Sequence, residues 1–94
     1  MNISYDAEAQ AAYLSLAEEA TVSRTIEVTS SVLLDVDSNM NPLGLELLFP
    51  ARQLPLNELQ RYVKPEDMKK FRELWNQLRS VLNKVEDMRR TANK

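Results

Sequence analysis

Residues 32–48, VLLDVDSNMNPLGLELL, decide the fold, because apolar and polar residues alternate on both sides of a polar turn. The apolar positions recur at every second residue in each run, and they are Val32, Leu34, Val36, Leu43, Leu45 and Leu47. Side chains of a strand point alternately to opposite faces of a sheet. The pattern therefore predicts two strands, near residues 32–37 and 43–48, joined by a turn over residues 38–42.

The same period of two extends toward the N-terminus. It predicts three further strands, near residues 2–5, 11–16 and 22–28. Asp6 is placed to cap the turn that follows the first of them. Because short connections make neighbouring strands antiparallel, the simplest arrangement is a β-meander of four to five strands.

Helical spacing replaces this alternation after Pro50. Pro55 can open a short helix that extends to about Tyr62, and Pro65 opens a long helix that extends to about residue 90. Apolar residues in the long helix recur at intervals of three and four, as in a heptad repeat. They are Met68, Phe71, Trp75, Leu78, Leu82 and Val85, flanked by Leu74, Val81 and Met88. The fold class is therefore α+β.

Three parts are predicted in the chain. Residues 1–49 form the antiparallel sheet, and residues 50–64 form a linker with the short helix. Residues 65–91 form a long amphipathic helix, which packs on the sheet, on a partner subunit, or on both.

The composition narrows the possible functions. The chain of 94 residues has no cysteine and no histidine, so thiolate sites and the usual general base near neutral pH are excluded. We expect a protein that is not an enzyme, with no catalytic residue and no cofactor. No apolar run approaches about 20 residues and no secretory signal is visible, so we expect a cytoplasmic, prokaryotic protein without a membrane segment.

Charge is divided unequally between the two halves. Residues 1–50 carry eight acidic residues and one basic residue, a net charge of -7, whereas residues 51–94 carry eleven basic and six acidic residues, a net charge of +5. Attraction between an acidic sheet and a basic helix, within one chain or between two, explains this division. The alternative is binding of nucleic acid by the bases of the long helix, which are Lys69, Lys70, Arg72, Arg79, Lys84, Arg89 and Arg90. Acidic residues are interspersed among these bases, so we do not expect nucleic acid as a partner.

The N-terminal half carries a series of short motifs. These are Tyr5-Asp6, Glu8-Ala9, Ala11-Ala12-Tyr13, Asp35-Val36-Asp37 and Gly44-Leu45-Glu46-Leu47. In order and spacing the series resembles a family of small prokaryotic domains known as domain of unknown function 2283, over residues 1–48. The family usually has an acidic residue where Gln10 stands and a glycine in the turn near Met40 and Asn41. The resemblance implies a fold and no activity.

Four residues have the spacing of a calcium-binding loop. Asp35, Asp37, Asn39 and Glu46 occupy the first, third, fifth and twelfth positions of a calcium-loop spacing. Met40 stands where that loop requires glycine, and the flanking segments are predicted strands. Asp35, Asp37 and Glu46 are therefore only weak candidates as metal ligands, and no metal is predicted.

We expect the function to lie in the long helix, because it is longer than a compact sheet of this size. We expect a small interaction or regulatory module that self-associates, most simply as a homodimer, through a coiled-coil-like contact of this helix. The predicted contact residues are Phe71, Leu74, Trp75, Leu78, Val81, Leu82 and Val85. The alternatives are a nucleic-acid-associated or toxin-neutralising regulator, and a domain that binds a metal or small ligand through carboxylates.

Overall fold

The computed structural model describes the backbone of residues 1–48 and 53–92, and the side chains of residues 1–48 and 53–84. An antiparallel sheet of five strands is followed by a short and a long helix, so the predicted α+β fold is confirmed. The predicted boundary at residues 49–50 lies outside the described residues. The elements are β1 (Asn2–Asp6), β2 (Ala11–Ser15), β3 (Arg24–Thr29), β4 (Val32–Val36), β5 (Pro42–Leu48), α1 (Leu56–Leu59) and α2 (Pro65–Ala92).

The strand order differs from the consecutive meander expected from the sequence. The order is β1-β2-β5-β4-β3, so β5 lies between β2 and β4. Strands β3, β4 and β5 do follow one another as a meander, but the connection from β2 crosses to the far edge of the sheet. This connection is residues 16–23, which reach about 26 Å when extended, and the crossing spans three strand spacings, or about 14 Å. Its length therefore permits the crossing.

One face of the sheet, here called the inner face, is apolar and covered by the helices. A single row of register partners crosses all five strands on this face, and it consists of Ile3, Leu14, Leu45, Leu34 and Ile26. Helix α2 contacts β1 and β2, while α1 contacts β3. The core lies between the helices and this face, and the opposite, outer face carries no helix among the described residues.

Both helices begin near the predicted positions. Helix α1 is shorter than expected, because the N–H groups of Tyr62 and Val63 both donate to the Leu59 carbonyl and close the chain into a turn. Helix α2 begins at Pro65, with two acidic residues in its first turn, where the helix dipole favours negative charge. Among the described residues, no helix combines the length and the apolar character needed to cross a membrane.

Candidate functional site

The predicted contact residues of α2 divide into two groups. Four of them are buried in the core of their own chain, and these are Phe71, Leu74, Trp75 and Leu78. Leu82 is partly buried against the same core, whereas Val81 is 57% exposed. Val85 lies among the residues whose side chains are not described. The core of the same chain thus buries the first group, and among the predicted contact residues with described side chains only Val81 is exposed.

Among the described side chains, the buried part of α2 ends at Leu78, and Trp75 lies near its end. The Trp75 side chain is 9% exposed, and the Arg79 guanidinium lies 5.7 Å from the centroid of its ring, within the range of a cation–π contact. Beyond Leu78, the last fully buried position, the helix continues to Ala92. Residues 81–92 are here called the distal segment of α2.

A chain of polar side chains crosses the outer face of the sheet. The Tyr13 hydroxyl on β2 donates to Asp35 Oδ2 on β4 at 2.8 Å, and the Thr25 hydroxyl on β3 donates to Asp35 Oδ1 at 2.6 Å. Both oxygens of the Asp35 carboxylate are therefore hydrogen-bonded. Burial raises the pKa of the Tyr13 phenol, and the neighbouring carboxylates of Asp35 and Glu46 raise this pKa further.

Gly44 allows this chain to cross β5. The Tyr13 ring lies directly over Gly44, and a Cβ at that position would fall 2.3 Å from the Tyr13 hydroxyl oxygen. No side chain fits in that space, because real Cβ atoms do not approach other heavy atoms so closely. The only glycine of the protein is thus placed where an aromatic ring from β2 reaches across a central strand to β4.

Tyr13, Asp35 and Gly44 each belong to one of the motifs on which the sequence resemblance rests. A model of the family described as protein of unknown function DUF2283 matches residues 2–49, just over half of the chain. The chain belongs to the DUF2283 family. Comparison with curated proteins and comparison with solved structures found no match. Within DUF2283, this chain therefore shows a structural use for three motif residues, namely a link across the outer face of the sheet.

The second aspartate of the DUF2283 Asp-x-Asp motif organises the turn between β4 and β5. Asp37 Oδ1 accepts from the N–H groups of Asn39 and Asn41, and Asp37 Oδ2 accepts from the Asn41 side-chain amide. These hydrogen bonds, led by that from the Asn41 backbone, lower the pKa of Asp37. Met40 completes the turn with a φ of 65°, in the left-handed region that favours glycine. Met40 therefore has a backbone conformation that suits glycine, the residue that the family resemblance leads one to expect near this position.

Two of the three weak candidates for metal ligation, Asp35 and Asp37, accept hydrogen bonds from neighbouring groups. Asp35 accepts from Tyr13 and Thr25, and Asp37 accepts from the turn. Glu46 pairs in register with Tyr13 and Leu33 on the outer face. Within residues 1–48 and 53–84, no group of three or more His, Cys, Asp or Glu side chains is arranged to hold a metal ion.

The link through Tyr13 is not among the features predicted from the sequence, although the sequence contains one signal for it. A glycine within a strand often marks the close approach of another group, and Gly44 is the only glycine in the chain. The identity of the approaching residue depends on the strand order, which the sequence did not reveal.

Proposed function

We propose that this DUF2283 protein is a non-enzymatic interaction module that self-associates, with the distal segment of α2 as the contact surface for a second copy. The observation that supports this proposal is the 57% exposure of Val81, which follows four buried apolar positions of the same helix, Phe71, Leu74, Trp75 and Leu78. The self-associated form is a homodimer.

Helix geometry places the distal positions on the sheet-facing side of α2. At 100° per residue, positions 81, 85 and 88 share a face with Leu74 and Leu78, which are buried against the core. Val85 and Met88 are apolar in sequence, so the sequence continues the apolar stripe past the exposed Val81. A second copy supplies the missing cover.

The dimensions of the molecule support this interpretation. Helix α2 has 28 residues and is therefore about 42 Å long. The molecule measures 52 × 25 × 23 Å, so its long dimension is about twice each of the other two. A helix of this length extends beyond a sheet that is one strand length deep.

The polar groups of the outer face support a role without catalysis. The raised pKa of Tyr13 places deprotonation of its phenol even further above neutral pH, and both Asp35 oxygens accept hydrogen bonds. The sequence has no histidine and no cysteine to act as base or nucleophile. A binding role needs none of these groups.

The test is the solution mass of the full chain, measured by light scattering over a range of concentrations. We expect wild type at twice the chain mass of 10.8 kDa, and Val81→Glu shifted toward 10.8 kDa. Burial of a valine side chain contributes about 1.5–3 kcal/mol, so the dissociation constant should rise at least about tenfold.

Asn83→Glu is the matched control, because it adds the same charge on the opposite side of α2, at an exposed position. It should leave the mass unchanged. A monomeric wild type, or equal masses for Val81→Glu and the control, would contradict the proposal.

A further inference from the structure

A cavity of about 440 Å³ lies between α1, the turn that follows it and the first two turns of α2. Sites for small ligands have volumes of about 300–1,000 Å³, so this cavity is large enough for one. Half of its lining is apolar and half is polar, and the eight residues are Leu56, Val63, Pro65, Met68, Asn57, Gln60, Lys69 and Arg72. None of them belongs to the distal segment of α2, so the cavity is separate from the proposed contact between copies.

The polar residues that line this cavity are all hydrogen-bond donors. The ammonium of Lys69 and the guanidinium of Arg72 only donate, and the two side-chain amides, of Asn57 and Gln60, can donate as well. None of the described carboxylates lines the cavity, although acidic residues stand in the first turn of each helix. The polar lining is therefore suited to a negatively charged acceptor.

The periodicity of α2 separates the two cations from the neighbouring acidic residues. Positions 65, 68, 69 and 72 fall within about 100° of one another around the helix, so they form one stripe along the cavity. Asp67 lies outside this stripe, and its Oδ1 pairs with Lys70 Nζ at 3.8 Å. Among the described side chains, none forms an ion pair or hydrogen bond with the side chain of Lys69 or Arg72. Both charges are thus available to a ligand.

The apolar residues of the cavity can hold the body of such a ligand. Val63 is buried and Met68 packs against the core, so these two side chains close the cavity toward the interior. Leu56 lines the same cavity but is 40% exposed. An apolar group placed against Leu56 would remove that surface from water, which is favourable.

A second cavity, of about 200 Å³, has a lining of the same kind. It shares Leu56 and Arg72 with the first cavity, and its other lining residues are Gln53, Leu54, Trp75 and Asn76. Its polar residues are again one cation and two amides. Arg72 therefore lines both cavities, and each of them presents apolar surface beside a positive charge.

We propose that the larger cavity binds a small organic anion, which is a single anionic group carried by an apolar body. The anionic group accepts hydrogen bonds from Lys69 and Arg72, and the apolar body lies against Leu56, Val63 and Met68. Two cations beside apolar side chains match one anionic group, whereas a nucleic acid presents a row of phosphates to a row of cations.

Two dyes that differ only in charge test this proposal on the full chain. Anilinonaphthalene sulfonate is an anion with an aromatic body, and phenylnaphthylamine is the same molecule without the sulfonate. Fluorescence titration reports binding, because the dyes brighten at apolar surfaces. We expect saturable binding of the sulfonate at one site, with an affinity that falls as salt is added, and weaker binding of the neutral dye with little dependence on salt.

Charge-neutralising variants locate the anionic group. Lys69→Gln and Arg72→Gln should each raise the dissociation constant of the sulfonate about two- to fivefold, the range for an exposed ion pair, and leave binding of the neutral dye unchanged. Lys84→Gln is the matched control, because it removes the same charge from an exposed position of α2 outside the cavity. It should leave the affinity for both dyes unaltered.

Apolar variants locate the body of the ligand. Leu56→Asn should weaken binding of both dyes about fivefold, since it removes apolar surface from the cavity. Tyr62→Asn is the control, because Tyr62 is exposed to the same extent as Leu56 and does not line the cavity. Circular dichroism establishes that each variant is folded.

The outcomes separate this inference from the proposed self-association. Absence of saturable sulfonate binding, equal affinity for the two dyes, or equal effects of Lys84→Gln and Arg72→Gln would overturn the anion site. A loss of dye binding in Val81→Glu alone would place the dye on the distal segment of α2 and would also overturn it. The dimer is tested by solution mass without any dye, so either proposal can fail while the other stands.

Discussion

Tyr13, Gly44 and Asp35 form one unit at the scale of single residues. The ring of Tyr13 occupies the space above Gly44, and its hydroxyl reaches Asp35 two strands away. Hydrogen bonds to charged groups contribute about 1.5–3 kcal/mol, more than those between neutral groups. The unit therefore ties β2 to β4 through a side-chain bond that passes over β5.

Gly44→Ala should lower the free energy of unfolding by about 1–3 kcal/mol, as measured by urea denaturation. The added methyl group would fall 2.3 Å from the Tyr13 hydroxyl, so the ring has to move and its bond to Asp35 is lost.

The same substitution in a Tyr13→Ala background is the control for Gly44→Ala. When the Tyr13 ring is absent, the methyl group at position 44 has room. Gly44→Ala should then lower the free energy of unfolding much less than it does in the wild-type background. If Gly44→Ala lowers the free energy of unfolding equally in the two backgrounds, the Tyr13 ring does not explain the need for glycine at position 44.

Met40→Gly should raise the free energy of unfolding by about 0.5–1 kcal/mol. Met40 has a φ of 65°, a conformation that destabilises a residue with a Cβ by about 1–2 kcal/mol. Glycine relieves this strain, but its greater entropy in the unfolded chain offsets part of the stabilisation. Met40→Ala keeps the Cβ and should bring no gain. If the glycine and alanine variants melt at the same temperature, backbone strain at this turn is excluded as a factor.

At the scale of elements, α2 has a covered part and an uncovered part. Leu78 is 2% exposed, whereas Val81, one turn later, is 57% exposed. The two substitutions to alanine should therefore have different consequences at concentrations where the protein is monomeric. Leu78→Ala should cost about 2–5 kcal/mol of unfolding free energy, and Val81→Ala less than about 1 kcal/mol. Similar costs in urea denaturation would mean that the core extends further along the helix.

The positions of the elements could be predicted from the sequence, but their order could not. The alternation of apolar and polar residues predicts a strand from the local sequence alone, as at residues 32–36. Pro55 and Pro65, each followed by acidic residues, mark the starts of the two helices. The connection over residues 16–23 is long enough for β3 to lie beside β2 or to cross the sheet, and nothing in its composition decides between the two. The contact of Tyr13 with Asp35 over Gly44 depends on that order, so it could not be derived either.

At the scale of the whole molecule, the acidic side chains of the strands do not face the helices, contrary to the expectation that an acidic sheet attracts a basic helix. The strand carboxylates of Glu27, Asp35 and Glu46 lie on the outer face, away from α1 and α2. The sheet and the helices meet instead through apolar side chains. Among the residues whose side chains are described, the acidic half and the basic half of the chain are thus joined by hydrophobic burial.

The place of β5 in the middle of the sheet has a consequence for the course of folding. The β1–β2 hairpin and the β3–β4–β5 meander each consist of contacts between nearby residues, whereas the pairing of β2 with β5 joins residues 29 to 37 positions apart. Closing that longer loop is the slow, entropically costly step, since the two local units can form earlier. During synthesis the hairpin therefore leaves the ribosome well before the strand that completes it, and the two halves of the sheet join only once β5 has emerged.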